Sequence, residues 1–525
     1  MRDAESRPAY LIEKLLAYGL DNEMITEHDV SYVRNQLLEL LRIEEPYSQP
    51  VDLEAIEVPD TATPVLEELL DYAVRCGIIP EDTLTYRDLF DTKIMGLLMP
   101  RPSEIISRFE TLKNEKGIKT ATQYFYNLCR KSDYIRVDRI ARNIIWQYES
   151  EFGQLEVTIN LTKPEKDPRE IAALKQAPQV GYPKCVLCPE NVGYAGRVNH
   201  PARQTLRILP VKLQGEQWYF QYSPYVYYNE HCIVLKHEHV PMKITRKTFA
   251  RLFDFLKIFP HYFIGSNADL PIVGGSILNH DHFQGGFHTF PMEKAPIEYN
   301  LKCEEYPDVK IGVVHWPMSA VRISHYKSEI LVDLADKLLN LWKNYSDPEV
   351  DILAFSVNEK GERVPHNTVT PIARITDDGL CQLDLVFRNN RTNEEHPMGI
   401  FHPHQELHHI KKENIGLIEV MGLFILPGRL NVELDAIKDI LTGRKEMNDD
   451  IYIESHPLNK HLDWIKDLIE KHGNNLDDET SEKIIKDSVG QKCLQVLHHA
   501  GVFKATEEGR RAFNRFLETA GIRLA

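Results

Sequence analysis

Apolar positions in the first 150 residues recur every three or four places, the spacing of helices that bury one face. Tyr10, Leu11, Ile12, Leu15 and Leu16 form the first such run. A second run carries Val30, Val33, Leu37, Leu38 and Leu41 behind Thr26, with Asp29 three positions on, the pattern of a capped helix start. Residues 64–76, closed by Gly77, and 103–112, opened by Pro102, predict two more helices. No tight cluster of ligand or catalytic residue types falls in this stretch. It reads as a structural or dimerisation unit, and a homodimer is the expectation.

The period then changes. Residues 155–161 alternate as a half-buried strand does, and a charged, proline-bounded link at 163–168 places a boundary between about 150 and 180. Residues 205–213 and 217–222 flank Gly215 as a hairpin, 231–236 predict a strand, and 245–259 predict an amphipathic helix stopped by Pro260. The grammar repeats from about 305. Strands are predicted near 309–315 and 320–324 and a helix over 328–345. A hairpin of 368–375 with 381–387 is predicted across Asp377-Asp378-Gly379. Phe401-His402-Pro403-His404-Gln405 follows, then an apolar run at 415–426 ending in Pro427-Gly428. Two similar passages, each closing on His-x-His, suggest an internal duplication. The division is 1–150 helical, 151–304 and 305–434 as two sheet-and-helix units, and 435–525 charged and helical. The fold class is α+β.

Composition narrows the possibilities. The 525 residues are 42% hydrophobic and 27% charged, ordinary for a globular protein of several domains. No apolar run is long enough to cross a membrane, and Met1-Arg2-Asp3-Ala4-Glu5 lacks the apolar core of a secretion signal. A net charge of −16 argues against general nucleic-acid binding while leaving room for a local basic pocket. The eight cysteines are scattered apart from Cys185 and Cys188, as expected of reduced thiols in the cytoplasm.

Chemistry concentrates at Gly274-Gly275-Ser276-Ile277-Leu278-Asn279-His280-Asp281-His282-Phe283-Gln284-Gly285-Gly286. After the apolar pair Ile277-Leu278, His280 and His282 read as the exposed end of a strand, with both imidazoles on one face. Glycines on either side let backbone or a ligand phosphate approach. A neutral imidazole can attack phosphorus when its other nitrogen is held protonated by an acceptor. Gln284, on the same face, can donate an amide N–H to a phosphoryl oxygen but is no general acid, which favours transfer over hydrolysis. The plain alternative is a pair of hydrogen-bonded strand histidines. Cys185-Val186-Leu187-Cys188 fits zinc, redox chemistry or two reduced thiols. Zinc takes four ligands, so a histidine of Lys236-His237-Glu238-His239 and His280 could complete a site, leaving His282 as nucleophile.

Cys185-Val186-Leu187-Cys188-Pro189-Glu190-Asn191 together with Asn279-His280-Asp281-His282-Phe283-Gln284 resembles the hexose-1-phosphate uridylyltransferases of the histidine-triad superfamily. The fit is to the bacterial class II branch of the galactose-1-phosphate uridylyltransferases, over roughly residues 180–430. Class I has Pro between the histidines and Gly before the glutamine, where this chain has Asp281 and Phe283. The resemblance implies two histidine-triad-like antiparallel sheet-and-helix units in tandem, with His282 as the nucleophile and Gln284 as a phosphate ligand. It implies Ser276, Gly275, Asn267 and Asn229 as substrate contacts. Its zinc ligands would be Cys185, Cys188, His280 and His239, the last preferred to His237. His402 and His404 match a pair that joins a second metal in class I. The earlier histidine that should accompany them is missing near Phe387-Arg388-Asn389, and His396, His408 and His409 are the possible substitutes.

The activity so implied moves UMP from UDP-glucose to galactose 1-phosphate through a covalent uridylyl-histidine, giving glucose 1-phosphate and UDP-galactose. Lys184, Arg197 and Arg203 are candidate cations for the hexose phosphate. Two rivals stand beside it: a nucleotide phosphorylase or hydrolase of the same superfamily, and a zinc-stabilised nucleotide-binding module without catalysis.

Overall fold

A computed structural model describes residues 2–162 and 180–525. It divides into two compact units, Met1–Arg142 with Pro164–Val240, and Asn143–Lys163 with Pro241–Ala525. The link at 163–168 lies outside the described residues. These units cross the four-part division read along the chain, because strand pairing decides what packs with what. Residues 144–160, for example, form a sheet with Leu423–Pro427.

The first unit is helical up to Ile140 and then forms an antiparallel meander. The helix start at Thr26 closes as its sequence predicts: the Thr26 backbone N–H and hydroxyl both donate to Asp29 Oδ2, at 2.9 and 2.7 Å. Helix Thr63–Arg75 stops where Gly77 takes a positive φ of 66°. Helix Ile118–Lys131 buries Ala121, Phe125, Leu128 and Cys129 along one stripe. Phe125 meets Phe220 and Tyr222 of strand Glu216–Tyr222, with ring centroids 6.1 and 5.4 Å apart. The Tyr222 hydroxyl donates to the Thr122 carbonyl, and the Tyr134 hydroxyl to the Tyr222 carbonyl, each at 3.1 Å. Burying an aromatic of this size contributes roughly 1.5–3 kcal/mol. The helical region thus backs the meander Leu209–Leu213, Glu216–Tyr222 and Cys232–Lys236, whose registers are antiparallel throughout. Its first turn is Gln214-Gly215, both at positive φ, as a two-residue hairpin requires.

The expectation of helix to residue 150 is corrected. Ile144–Ser150 is a strand paired with Gly153–Asn160, and its Ile, Trp and Tyr suit a pleated surface better than a helix. Leu423–Pro427 adds to Gly153–Asn160 in parallel.

The larger sheet of the second unit runs through eight strands. Neighbour by neighbour they are Ile522–Leu524, Ile297–Cys303, Lys310–Val314, Ala320–His325, Cys381–Asn389, Asn367–Ile375, Phe263–Gly265 and His282–Gly286. Every one of these pairings is antiparallel. Helices Arg246–Ile258 and Ser328–Trp342 pack against each other and on these strands. Trp342 is fully buried among Phe387, Phe503 and Phe516, which ties the C-terminal helices to the sheet. The architecture is α+β with helical regions at both ends.

Candidate functional site

In the first unit, strand Cys232–Lys236 delivers His239 just beyond its end. His239 Nδ1 lies 3.1 Å from Cys188 Sγ, which lies 3.5 Å from Cys185 Sγ. The three donor atoms fall within 4.8 Å of one another. His237 instead is exposed, its ring 5.8 Å from that of Tyr219. The knuckle is held from behind by a residue that sequence reasoning passed over. Asn191 is fully buried, and its Nδ2 donates to the carbonyls of Cys185 and Cys188, each at 2.8 Å. Its Oδ1 therefore faces His200 Nε2 at 2.7 Å, which must carry the proton. Burial, then the charges of Arg197 and Arg203, push the His200 imidazole down to about 4. Burial pushes the Cys188 thiol up to about 12, so a thiolate here needs a neighbouring cation. Two thiols and an imidazole are the donors zinc takes, so these residues fit that metal.

In the second unit, the glycine loop is built by close contact. A Cβ on Gly274 would lie 2.5 Å from the Ala268 carbonyl, and one on Gly275 would lie 2.5 Å from Asn267 Nδ2. Asn267 is buried, and its Oδ1 accepts the Leu417 N–H at 2.8 Å. Asn414 Nδ2 donates to the Gly274 carbonyl at 3.3 Å. Asn267 thus ties its Oδ1 to residue 417 while its Nδ2 lies against Gly275.

The histidines differ from the exposed strand end expected. The strand starts only at His282, and His280 and His282 are both buried. Ile277 and Leu278 lie in irregular chain, where the Leu278 carbonyl accepts from the Met242 N–H at 2.9 Å instead of joining a ladder. His282 Nδ1 lies 2.8 Å from the His280 carbonyl. A carbonyl only accepts, so Nδ1 carries the proton and Nε2 the lone pair. Burial lowers the His282 imidazole to about 4; the carbonyl opposes this and the His280 ring adds to it. The ring is neutral at pH 7. Gln284, half-buried in the same strand, pairs across to Gly265 and points to the face of His282. Asp281, between the histidines, faces Arg251 of helix Arg246–Ile258 at 3.6 Å, with both side chains buried. Arg251 is a second support that the sequence did not single out.

Other expected residues scatter. Ser276 is exposed in the second unit, and Asn229 is exposed in the first, in a turn whose Glu230 has a φ of 52°. Arg197 spends its guanidinium on Asn199, Tyr194 and the Tyr182 and Val180 carbonyls. It acts as a strut. His402 and His404, expected from their spacing at a second strand end, do not lie in a strand. Pro403 between them has no N–H for a ladder, and a 3-10 turn, Gln405–Leu407, follows at once. The buried His402 Nδ1 faces the Pro403 carbonyl at 3.2 Å. His404 turns toward His499 instead, with ring centroids 4.1 Å apart. No helix among the described residues is long and apolar enough to cross a membrane.

Known proteins match this chain along nearly all of it. The family description "Galactose-1-phosphate uridyl transferase, N-terminal domain" covers residues 23–241, and its C-terminal counterpart covers 255–448. The chain is an α+β enzyme of the transferase class. A galactose-1-phosphate uridylyltransferase of Caldanaerobacter subterraneus subsp. tengcongensis is 59% identical over 515 residues, 98% of each chain. That of Bacillus subtilis is 50% identical over 511 residues, 97% of each. This chain belongs to the galactose-1-phosphate uridylyltransferase family. Yeast Ap4A phosphorylase Apa2 aligns with 63% of this chain and 88% of its own, at 12% identity and a TM-score of 0.29.

Proposed function

We propose that the chain, acting in the cytoplasm, moves UMP from UDP-glucose to galactose 1-phosphate in two steps on His282. The reading rests on one observation: the His280 carbonyl fixes the proton on His282 Nδ1 and leaves Nε2 as a nucleophile. In the first step the Nε2–P bond forms, the bond from the α-phosphorus to the bridging oxygen breaks, and glucose 1-phosphate leaves without needing a strong acid. In the second, a phosphate oxygen of galactose 1-phosphate attacks, the Nε2–P bond breaks, and UDP-galactose departs. Gln284 holds a non-bridging oxygen in both steps. Ser276, Gly275, Asn267 and Asn229 are assigned to the substrate side. Cys185, Cys188, His239 and His280 are assigned as the residues that would hold zinc, which would serve a structural role there, and the thiol and imidazole donors of the first unit support that assignment. Family membership and the names of relatives support the substrates.

The test uses UDP-glucose labelled in its α-phosphate. Wild-type chain should take up one covalent label, released by galactose 1-phosphate as labelled UDP-galactose. His282→Ala should take up none while keeping its circular dichroism. Label on the His282→Ala protein would end the nucleophile assignment. Discharge by orthophosphate in preference to galactose 1-phosphate would indicate a phosphorylase, and no label on wild type would indicate a binding module.

A further inference from the structure

The hairpin of Phe355–Val357 and Arg363–Pro365 leads straight into the strand Asn367–Ile375, and His366 stands where the two meet. Ser356 lies opposite Val364, so His366, two places on, is its diagonal neighbour across the hairpin. Asn367 pairs with Asn389 in the larger sheet, and one step further in the same register sets His366 opposite Asn390. Three segments thus bring together a hydroxyl, an imidazole and an amide that no short sequence pattern links. His366 Nε2 lies 2.8 Å from Ser356 Oγ, and His366 Nδ1 lies 2.8 Å from Asn390 Oδ1.

The partners fix the protons. Asn390 Nδ2 donates to the Pro271 carbonyl at 3.2 Å, which turns the amide so that Oδ1 faces the ring. An amide oxygen only accepts, so Nδ1 carries the ring proton and Nε2 offers its lone pair to the Ser356 hydroxyl, which donates. The main chain of His366 is pinned as well. Its N–H donates to the Ala354 carbonyl at 2.9 Å, and its carbonyl accepts the Asn390 N–H at 3.1 Å. His366 is buried and Ser356 half-buried, so the base is shielded while the serine keeps part of its surface.

A hydroxyl that donates to a base whose other nitrogen is held by an acceptor is the arrangement of an activated nucleophile. We propose that Ser356, with His366 as general base and Asn390 as a positioning residue, is a second reactive centre that takes the acyl group of activated carboxylic esters. Ser356 Oγ attacks the carbonyl carbon while its proton passes to His366 Nε2. The bond from that carbon to the alcohol oxygen breaks, and the alcohol leaves with the proton. Water then attacks the acyl-serine and gives a proton to His366 Nε2; Oγ recovers it as the carboxylic acid departs. The centre lies wholly in the second unit and does not rest on the uridylyl-transfer reading.

The full-length protein is treated with an alkyl fluorophosphonate, which phosphonylates activated serines with loss of fluoride, and the labelled peptide is located by mass spectrometry. Label should fall on Ser356, and Ser356→Ala should leave that peptide unlabelled. His366→Gln should slow labelling at least 100-fold, within the usual reach of a general base. Asn390→Ala should slow it at least tenfold, whereas Asn390→Asp, which keeps an acceptor for Nδ1, should stay within threefold of wild type. Wild type should also hydrolyse p-nitrophenyl acetate faster than Ser356→Ala. No label on Ser356 in wild type, or equal labelling rates in wild type and His366→Gln, would overturn the centre. If His366→Gln does not fold, equal rates in Asn390→Ala and Asn390→Asp would overturn it instead. Equal ester hydrolysis by wild type and Ser356→Ala would overturn the acyl chemistry.

Discussion

Asn191→Asp changes one atom at the centre of the knuckle. The amide nitrogen that donates to the Cys185 and Cys188 carbonyls at 2.8 Å becomes an oxygen facing two oxygens. Each carbonyl keeps a backbone N–H, that of Cys188 on Cys185 at 3.2 Å and that of Asn191 on Cys188 at 3.0 Å, so the loss is that of two ordinary hydrogen bonds, ~1–3 kcal/mol before any repulsion. His200 can partly offset this by keeping a second proton and pairing with the new carboxylate. Asn191→Ala removes that compensation and serves as the companion variant. Because the two carbonyls set the turn from which both thiols project, zinc affinity should fall about 10–100-fold in either protein. Two assays check this: competition for Zn2+ against a chromophoric chelator, and the denaturant midpoint read from tryptophan fluorescence. Zinc affinity within threefold of wild type in both variants, with the midpoint unmoved, would refute the claim that Asn191 shapes the site.

Gly275→Ala should drive a Cβ into Asn267 Nδ2 and lower kcat/KM by roughly tenfold or more. Combined with Asn267→Ala the losses should be clearly less than additive, and a double-mutant cycle on transfer rates measures that. Gln284→His should slow transfer and raise the ratio of UMP released to UDP-galactose formed; an unchanged ratio would mean that water is excluded by another feature. His409 is pushed down to about 3 by burial and by His461, whose Nδ1 is 2.6 Å away. Its folded value lies below the ordinary one near 6.5, so the neutral ring stabilises the fold. That contribution is full above pH 6.5 and is lost as pH falls toward 3. Melting temperature against pH should therefore fall less steeply below pH 6 in His409→Gln; parallel curves would contradict this.

Much of the fold was legible because local signals agreed with tertiary packing. Thr26 with Asp29, Gly215 and Asp377-Asp378-Gly379 each marked a real cap or turn, since their chemistry is decided within a few residues. Ile144–Ser150 was missed because its pairing gain depends on a hairpin and a distant parallel strand. At the site, ligand types at close spacing pointed to the Cys-x-x-Cys knuckle and the His280–Gln284 stretch. What supports them did not show. Asn191 and Arg251 act through a carbonyl pair and a buried carboxylate that only folding brings near. The His-x-His at 402–404 misled for the opposite reason: its spacing suggested a strand, and a proline with a following 3-10 turn keeps the segment out of any ladder.

The parallel addition of Leu423–Pro427 to Gly153–Asn160 has a consequence for synthesis. Some 260 residues separate the two strands, and at ~5–20 residues per second the ribosome needs roughly 13–50 s to deliver the second. During that interval the edge of Gly153–Asn160 that Leu423–Pro427 later covers, the strand carrying Val157 and Ile159, stays unpaired. The strand Ile297–Cys303 waits in the same way for Ile522–Leu524, some 220 residues further on. A nascent chain with these edges open is exposed to pairing with other copies. Expression of this protein should therefore be more sensitive to translation speed and chaperone supply than its folded stability implies.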